Sequence, residues 1–216
     1  MIELLHKAAP IIQGALLMTL LLGLSSAVLG TALGLVLALF RLSPVAPLRW
    51  LAFWYVSIFR GTPLLLQLLL IYFGLPHYGI ELEPVPTAIL ALSLCSAAYL
   101  SENFRSGILG VDRGQIEAAQ SLGMGAARSL FRIILPQAIR IAAPTMGTRY
   151  IALMKDTSLA STISVVELTK MAEQVGSNTF RYMEMFIIAG ALYWVINQML
   201  TFIQVWVESK LGKGVA

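Results

Sequence analysis

The sequence predicts an all-α, polytopic membrane protein of a single domain, residues 1–216, with five spanning helices and a polar helical loop at about 110–135. Three observations carry this reading. The chain is 58% hydrophobic and only 12% charged, where soluble domains run at about 45–50% and about 25%, and its mean hydropathy is +0.80. Long windows carry no charge at all. Lysine and arginine are distributed unevenly among the segments between those windows.

Residues 8–40, 61–80, 84–101 and 185–207 form uncharged runs of 33, 20, 18 and 23 residues. A spanning helix needs about 17–25 apolar residues, so four spans follow directly. The first run exceeds the core of a signal peptide, about 7–15 residues, and has no convincing cleavage site, so it reads as a retained first span. The stretch 133–166 holds Arg140, Arg149, Lys155 and Asp156 between mainly apolar or small residues. A lipid-facing helix does not tolerate those charges, but a helix with one face on a protein or water interior does. It is the remaining span.

Charge gives the orientation. The 41–60 loop holds Arg41, Arg49 and Arg60 without an acid, the 102–132 loop holds Arg105, Arg113, Arg128 and Arg132, and the tail holds Lys210 and Lys213. The 76–86 loop holds only Glu81 and Glu83. Positive loops stay in the cytoplasm, so the N-terminus lies outside, the C-terminus inside, and the span count is odd. Segment 167–183 then lies outside, with Lys170 and Arg181 offset by Glu167 and Glu173. The net charge of +4 reflects these loops rather than a nucleic-acid surface. Cys95, the single cysteine, reads as a small buried core residue.

The 102–132 loop is unusual for so apolar a chain. Asp112 with Gln115 three residues on fits an acidic N-cap. Gln115 to Leu122 contains the helix formers Ala118 and Ala119, with Ile116, Ala119 and Leu122 on one face. Gly123 suits the left-handed residue that ends such a helix. Ala126 to Ile134 reads as a second short helix, and Pro136 starts the next span. The result is a compact pair of helices at the membrane surface. Its small Ala pair permits close approach of another protein, and Glu117 offers a charged anchor.

The pattern Glu-Ala-Ala, three residues, Gly, nine residues, Ile, one residue, Leu-Pro is complete here in Glu117, Ala118, Ala119, Gly123, Ile133, Leu135 and Pro136. It resembles the cytoplasmic loop signature of ATP-binding-cassette (ABC) importer permeases. Phe59-Arg60-Gly61-Thr62-Pro63 followed by Leu64-Leu65-Leu66-Gln67, Ala97-Ala98-Tyr99 with Glu102 and Arg105, and Lys155-Asp156-Thr157-Ser158-Leu159 resemble the polar amino-acid branch of that family over roughly residues 10–208, and the first span, 41–60 and Gly79-Ile80-Glu81-Leu82 look most like its permeases for cystine and related amino acids. The resemblance implies the type I ABC importer permease fold in a bacterial inner membrane. It also implies partners: a cytoplasmic ATPase dimer that receives the coupling helices, a second permease chain (identical or paralogous), an extracytoplasmic solute-binding protein and a polar amino-acid substrate. ATP and Mg then belong to the ATPase. This chain is not an enzyme, holds no cofactor or metal, and contacts membrane lipid but no nucleic acid.

The remaining candidates concern a substrate path or gate. Thr62-Pro63 reads as an N-cap and first helical proline, a restart after a break at Gly61 that bends the second span and reorients Arg60 and Gln67. Gln67, deep in an apolar run, is satisfied equally by an interhelical hydrogen bond or a substrate contact. Glu102 and Arg105 fit a local ion pair that orients the loop, with substrate contact the other reading. Lys155, Asp156 and Thr157 fit either a path for a zwitterion, which needs both signs of charge, or a helix end at the outer interface. Adjacent helical residues do not face each other, so Lys155 and Asp156 need separate partners. Ser26, Gly30, Gly34 and Ala38 form a small-residue ridge for helix packing. Trp50, Trp54, Trp194 and Trp206 read as interface-belt aromatics.

No Gly-x-x-x-x-Gly-Lys-Ser/Thr phosphate loop occurs, so ATP hydrolysis is not expected here. His6 and His77 are too isolated for a metal site. Two other classes stay open: a secondary transporter driven by an ion gradient, which leaves the elaborate loop unexplained, and a membrane scaffold in which the loop only recruits a partner.

Overall fold

The computed structural model describes residues 2–211. Lys213 and the side chains of His6 and Lys7 lie outside the described residues. Among the described residues nine α-helices follow in order: α1 (Ile2–Leu42), α2 (Ala46–Gly61), α3 (Leu64–Leu69), α4 (Pro84–Leu109), α5 (Arg113–Ser121), α6 (Ala126–Ser129), α7 (Leu135–Asp156), α8 (Leu168–Thr179) and α9 (Tyr182–Leu211). A π-helical turn (Leu70–Gly74) and a 3-10 turn (Leu75–Tyr78) extend α3, a π-helical turn (Leu130–Ile134) joins α6 to α7, and a 3-10 turn (Thr157–Ile163) follows α7. No strand forms among the described residues.

The α1–α4 pair is the spine. Ser26 and Ala38 are fully buried on the ridge, and the Ser26 hydroxyl reaches the Ile89 carbonyl. A Cβ on Gly30 meets Ser96 Cβ at 3.0 Å, and one on Gly34 meets Leu100 Cβ at 2.9 Å and the Ala97 carbonyl at 3.1 Å. The backbones therefore touch, as small-residue helix interfaces in lipid allow. Cys95 is buried at this level of α4 and free.

Among the described residues three helices, within Ala9–Leu42, Pro84–Leu109 and Tyr182–Leu211, are long and apolar enough to cross a membrane. A fourth candidate is the pair Ala46–Gly61 and Leu64–Tyr78, bent by 107°. The 41–60 segment is therefore not an open loop. Ala46–Gly61 form the sixteen-residue helix α2, whose buried Ala52 and Val56 pack inward while Trp50, Leu51, Trp54 and Ile58 face outward. α7 is 22 residues long, but its charges keep it below the apolarity of a free-standing span.

The bend follows the break at Gly61, with a shift of one residue in its capping. α2 ends at Gly61, Thr62 is extended and caps its C-terminus, and Pro63 is the N-cap of α3 rather than its first residue. Proline disfavours helical geometry in the residue before it, which holds Thr62 extended.

Segment 167–183 is not an open loop: most of it forms α8, packed on the bundle. Leu168, Met171, Ala172, Val175 and Gly176 bury one face of α8 at helical spacing. The Leu168 N–H donates to Thr19 Oγ1 of α1 at 3.2 Å, well inside the Ala9–Leu42 span. α8 thus begins within the bundle and packs with Met185 and Ala189 of α9 and Ala15 of α1 in one apolar cluster. Charged residues at 167, 170 and 173 hid this apolar face.

Candidate functional site

The 110–135 loop is held out from α4 and α7. The Asp112 carboxylate accepts from the Gly114 N–H at 2.7 Å and caps α5. Gln115 does not close the capping box; its side-chain carbonyl accepts from Gln137 Nε2 of α7 at 3.5 Å. Gly123 takes φ +70°, its N–H donates to the Gln120 carbonyl at 2.9 Å, and the Met124 N–H donates to the Ala119 carbonyl at 3.0 Å. That is the paired hydrogen-bond closure of a glycine-ended helix. Ala119 is buried, whereas Glu117 and Ala118 are exposed. Leu122 is 81% exposed, so it leaves the face shared by Ile116 and Ala119. It caps the helix instead of continuing it, which rotates its side chain away. Leu135 is buried, Ile133 half-buried and Pro136 exposed in the first turn of α7. Gly107 of α4 packs directly on the Ala138 backbone and Ala142 of α7. The loop therefore leaves two helices clamped together at its base.

Glu102 sits at that base. It pairs with Arg41 of α1 at 3.0 Å and with Arg105 at 2.9 Å. Its carboxylate ties the end of α1 to α4.

A second polar cluster lies higher on α4 and α7. Arg149 Nη1 is 3.1 Å from Asp156 Oδ2, and Arg149 Nε donates to Ser96 Oγ at 3.3 Å. The guanidinium carbon lies 4.8 Å from the Tyr99 ring centroid, and that of Arg60 lies 5.4 Å from it. These are cation–π distances. Arg149 Nη2 is buried without a hydrogen-bond partner among the described residues. The cluster presents both signs of charge on a half-buried surface.

The other path candidates do not join it. Gln67 is buried, and its Nε2 donates to the Phe59 carbonyl, the Thr62 carbonyl and Thr62 Oγ1 at 2.9, 3.1 and 2.9 Å. It ties the broken span together, and Thr62 is its partner. Thr157 is fully buried and donates to the Met154 carbonyl. Lys155 points the opposite way, into a cavity lined by Ser158, Thr169 and Tyr193. Asp156 has its separate partner in Arg149, as the adjacency of Lys155 and Asp156 requires.

Sequence reasoning passed over Arg149 as a site residue, although its charge within a span was the available signal. It also passed over Glu167, which is fully buried. The Glu167 carboxylate accepts from the N–H groups of Thr169 and Lys170, both at 2.9 Å, and from the Tyr193 hydroxyl. It caps α8 and binds α9 to it.

Residues 30–213 match the family described as binding-protein-dependent transport system inner membrane component, and the chain belongs to that family. It is 43% identical to the L-cystine transport system permease protein TcyB of Bacillus subtilis (strain 168), over 96% of this chain and 89% of that protein. It is 42% identical to the arginine transport system permease protein ArtQ of the same organism, over 94% and 93%. Its structure superposes on that of an amino acid ABC transporter crystallised with histidines, with a TM-score of 0.89, 37% identity, and coverage of 95% of this chain and 96% of that one. The MetNI methionine ABC transporter shares the fold at a TM-score of 0.74 and 20% identity.

Proposed function

We propose that this chain is the permease subunit of an ABC importer that carries a polar amino acid, cystine foremost, into the cytoplasm. The observation that carries the reading is the complete Glu117–Pro136 signature folded as an exposed helical lever. The identities to cystine and arginine permeases support the substrate class.

The lever docks on a separate ATPase dimer, which holds ATP and Mg; this chain supplies no hydrolytic group. Two permease chains enclose the path, and an extracytoplasmic binding protein delivers the substrate. Five crossings, made by α1, the bent α2–α3 pair, α4, α7 with α8, and α9, put the N-terminus outside and the C-terminus in the cytoplasm of a bacterial inner membrane. The geometry supports alternating access. α7 runs unbroken from Leu135 at the lever to Asp156, a rise of about 30 Å. A displacement of α5 therefore moves the Arg149–Asp156 pair against Tyr99. Arg149 and Asp156 offer partners to the carboxylate and ammonium of a zwitterion.

Reconstitution in proteoliposomes with the ATPase and binding protein tests the reading. ATP-dependent uptake of labelled cystine or another polar amino acid is expected. Uptake that persists without the ATPase, or no flux with all partners present, contradicts it.

A further inference from the structure

A groove at the loop-bearing end of α1, α2 and α4 is lined by Arg41, Leu42, Arg49, Trp50, Phe53 and Arg105. Its charge is only partly compensated. Arg41 and Arg105 share the single carboxylate of Glu102. Arg49 has only the Ser43 carbonyl, accepting from Nη1 at 3.4 Å. Three guanidinium groups thus face one acid. The N-terminus of α2 opens beside them without a side-chain cap, which adds partial positive charge from its free N–H groups. An anion with several oxygens suits this arrangement, because guanidinium groups and helix N–H groups both recognise phosphate.

The groove does not end in water. Trp50, Leu51, Trp54 and Ile58, all between 55% and 63% exposed, continue it as an apolar stripe along α2. Arg41 also stacks over Phe53 with its guanidinium carbon 5.5 Å from the ring centroid. A basic pocket that opens onto exposed tryptophan and isoleucine matches a molecule with a phosphate head and an apolar body.

We propose that this groove binds the phosphodiester headgroup of an anionic phospholipid, whose acyl chains lie along α2. A free phosphate or nucleotide uses the arginines but leaves the stripe idle, which is why the lipid is the favoured source. The headgroup relieves the repulsion between Arg41, Arg49 and Arg105 and steadies Glu102 at the base of the 110–135 loop. Placement in the cytoplasmic leaflet rests on the orientation proposed above; the binding does not.

The test is native mass spectrometry of the purified full-length chain in neutral detergent, with dioleoyl-phosphatidylglycerol or dioleoyl-phosphatidylcholine added. Phosphatidylglycerol adducts are expected in preference to phosphatidylcholine. Arg49→Gln, at an exposed residue that pairs with no acid among the described residues, is expected to weaken them about fivefold, the loss of one arginine near a lipid phosphate. Arg49→Lys is expected to restore most of that binding, and millimolar inorganic phosphate to leave it intact. Equal binding of the two lipids, or unchanged adducts in Arg49→Gln, overturns the proposal. Displacement by inorganic phosphate overturns it in favour of a soluble-anion site.

Discussion

Arg149 and Asp156 stand seven residues apart on α7 and meet as an ion pair, Nη1 to Oδ2 at 3.1 Å. The same guanidinium reaches across to Ser96 on α4 and lies over the Tyr99 ring. One side chain thus joins two helices and carries charge into the bundle. Removing either partner leaves the other charge poorly compensated, and removing both is milder. Arg149→Met and Asp156→Asn are each expected to lower the thermal stability of the detergent-solubilised chain. The double variant is expected to recover about 1–3 kcal/mol relative to the sum of the two. A fluorescence-detected melting series checks this; strict additivity contradicts the pairing.

Gly34 stands where α1 and α4 touch, and Gly14 stands in open space. Gly34→Val is expected to destabilise the chain by about 1–3 kcal/mol, because the Leu100 side chain and the Ala97 carbonyl leave no room. Gly14→Val serves as the control and is expected to change stability by less than about 0.5 kcal/mol. Melting of the two purified variants side by side decides it.

Gly123 needs its left-handed φ rather than its small size, since a Cβ there meets nothing within 4 Å. Gly123→Ala is expected to loosen the end of α5 by about 1–2 kcal/mol, and Gly123→Asn by less. Amide hydrogen exchange of residues 113–124 reads this directly. Equal protection in all three chains contradicts the conformational account.

Gln67 holds the break at Gly61–Pro63 closed through its amide nitrogen. Its Oε1 is buried without a partner among the described residues. Gln67→Leu is expected to lower stability by about 1–3 kcal/mol, because the two Thr62 oxygens and the Phe59 carbonyl lose their shared donor. If uptake falls at the same time with KM unchanged, the residue acts through the bend rather than by touching substrate.

Much of this was legible in the sequence because the signals were local. Uncharged windows located α1, α4 and α9, the spacing of Ser26, Gly30, Gly34 and Ala38 gave the packing ridge that α4 meets, and Asp112 and Gly123 bounded α5. What stayed hidden depended on tertiary context. The 41–60 segment carries arginines at its ends and so reads as a loop, although its middle is a continuous apolar helix. Glu167 reads as a solvated charge, yet the N–H groups of α8 and the Tyr193 hydroxyl make it an internal cap. The path candidates divided for the same reason. Hydrogen bonds across a break claim Gln67 and Thr62, and the last turn of α7 sends Lys155 and Asp156 to different surroundings.

The central claim is that α5 receives force from an ATPase. Ala118 is exposed on it, and Cys95 is the only native cysteine and is buried. A thiol introduced as Ala118→Cys is therefore the reactive one. In the assembled complex, a maleimide–benzophenone reagent attached to the thiol at position 118 is predicted, on illumination, to link to the ATPase subunit, with a yield that changes between nucleotide-free and ATP-bound states. A complex that is active in uptake yet yields no link from position 118 to the ATPase in any nucleotide state contradicts the account.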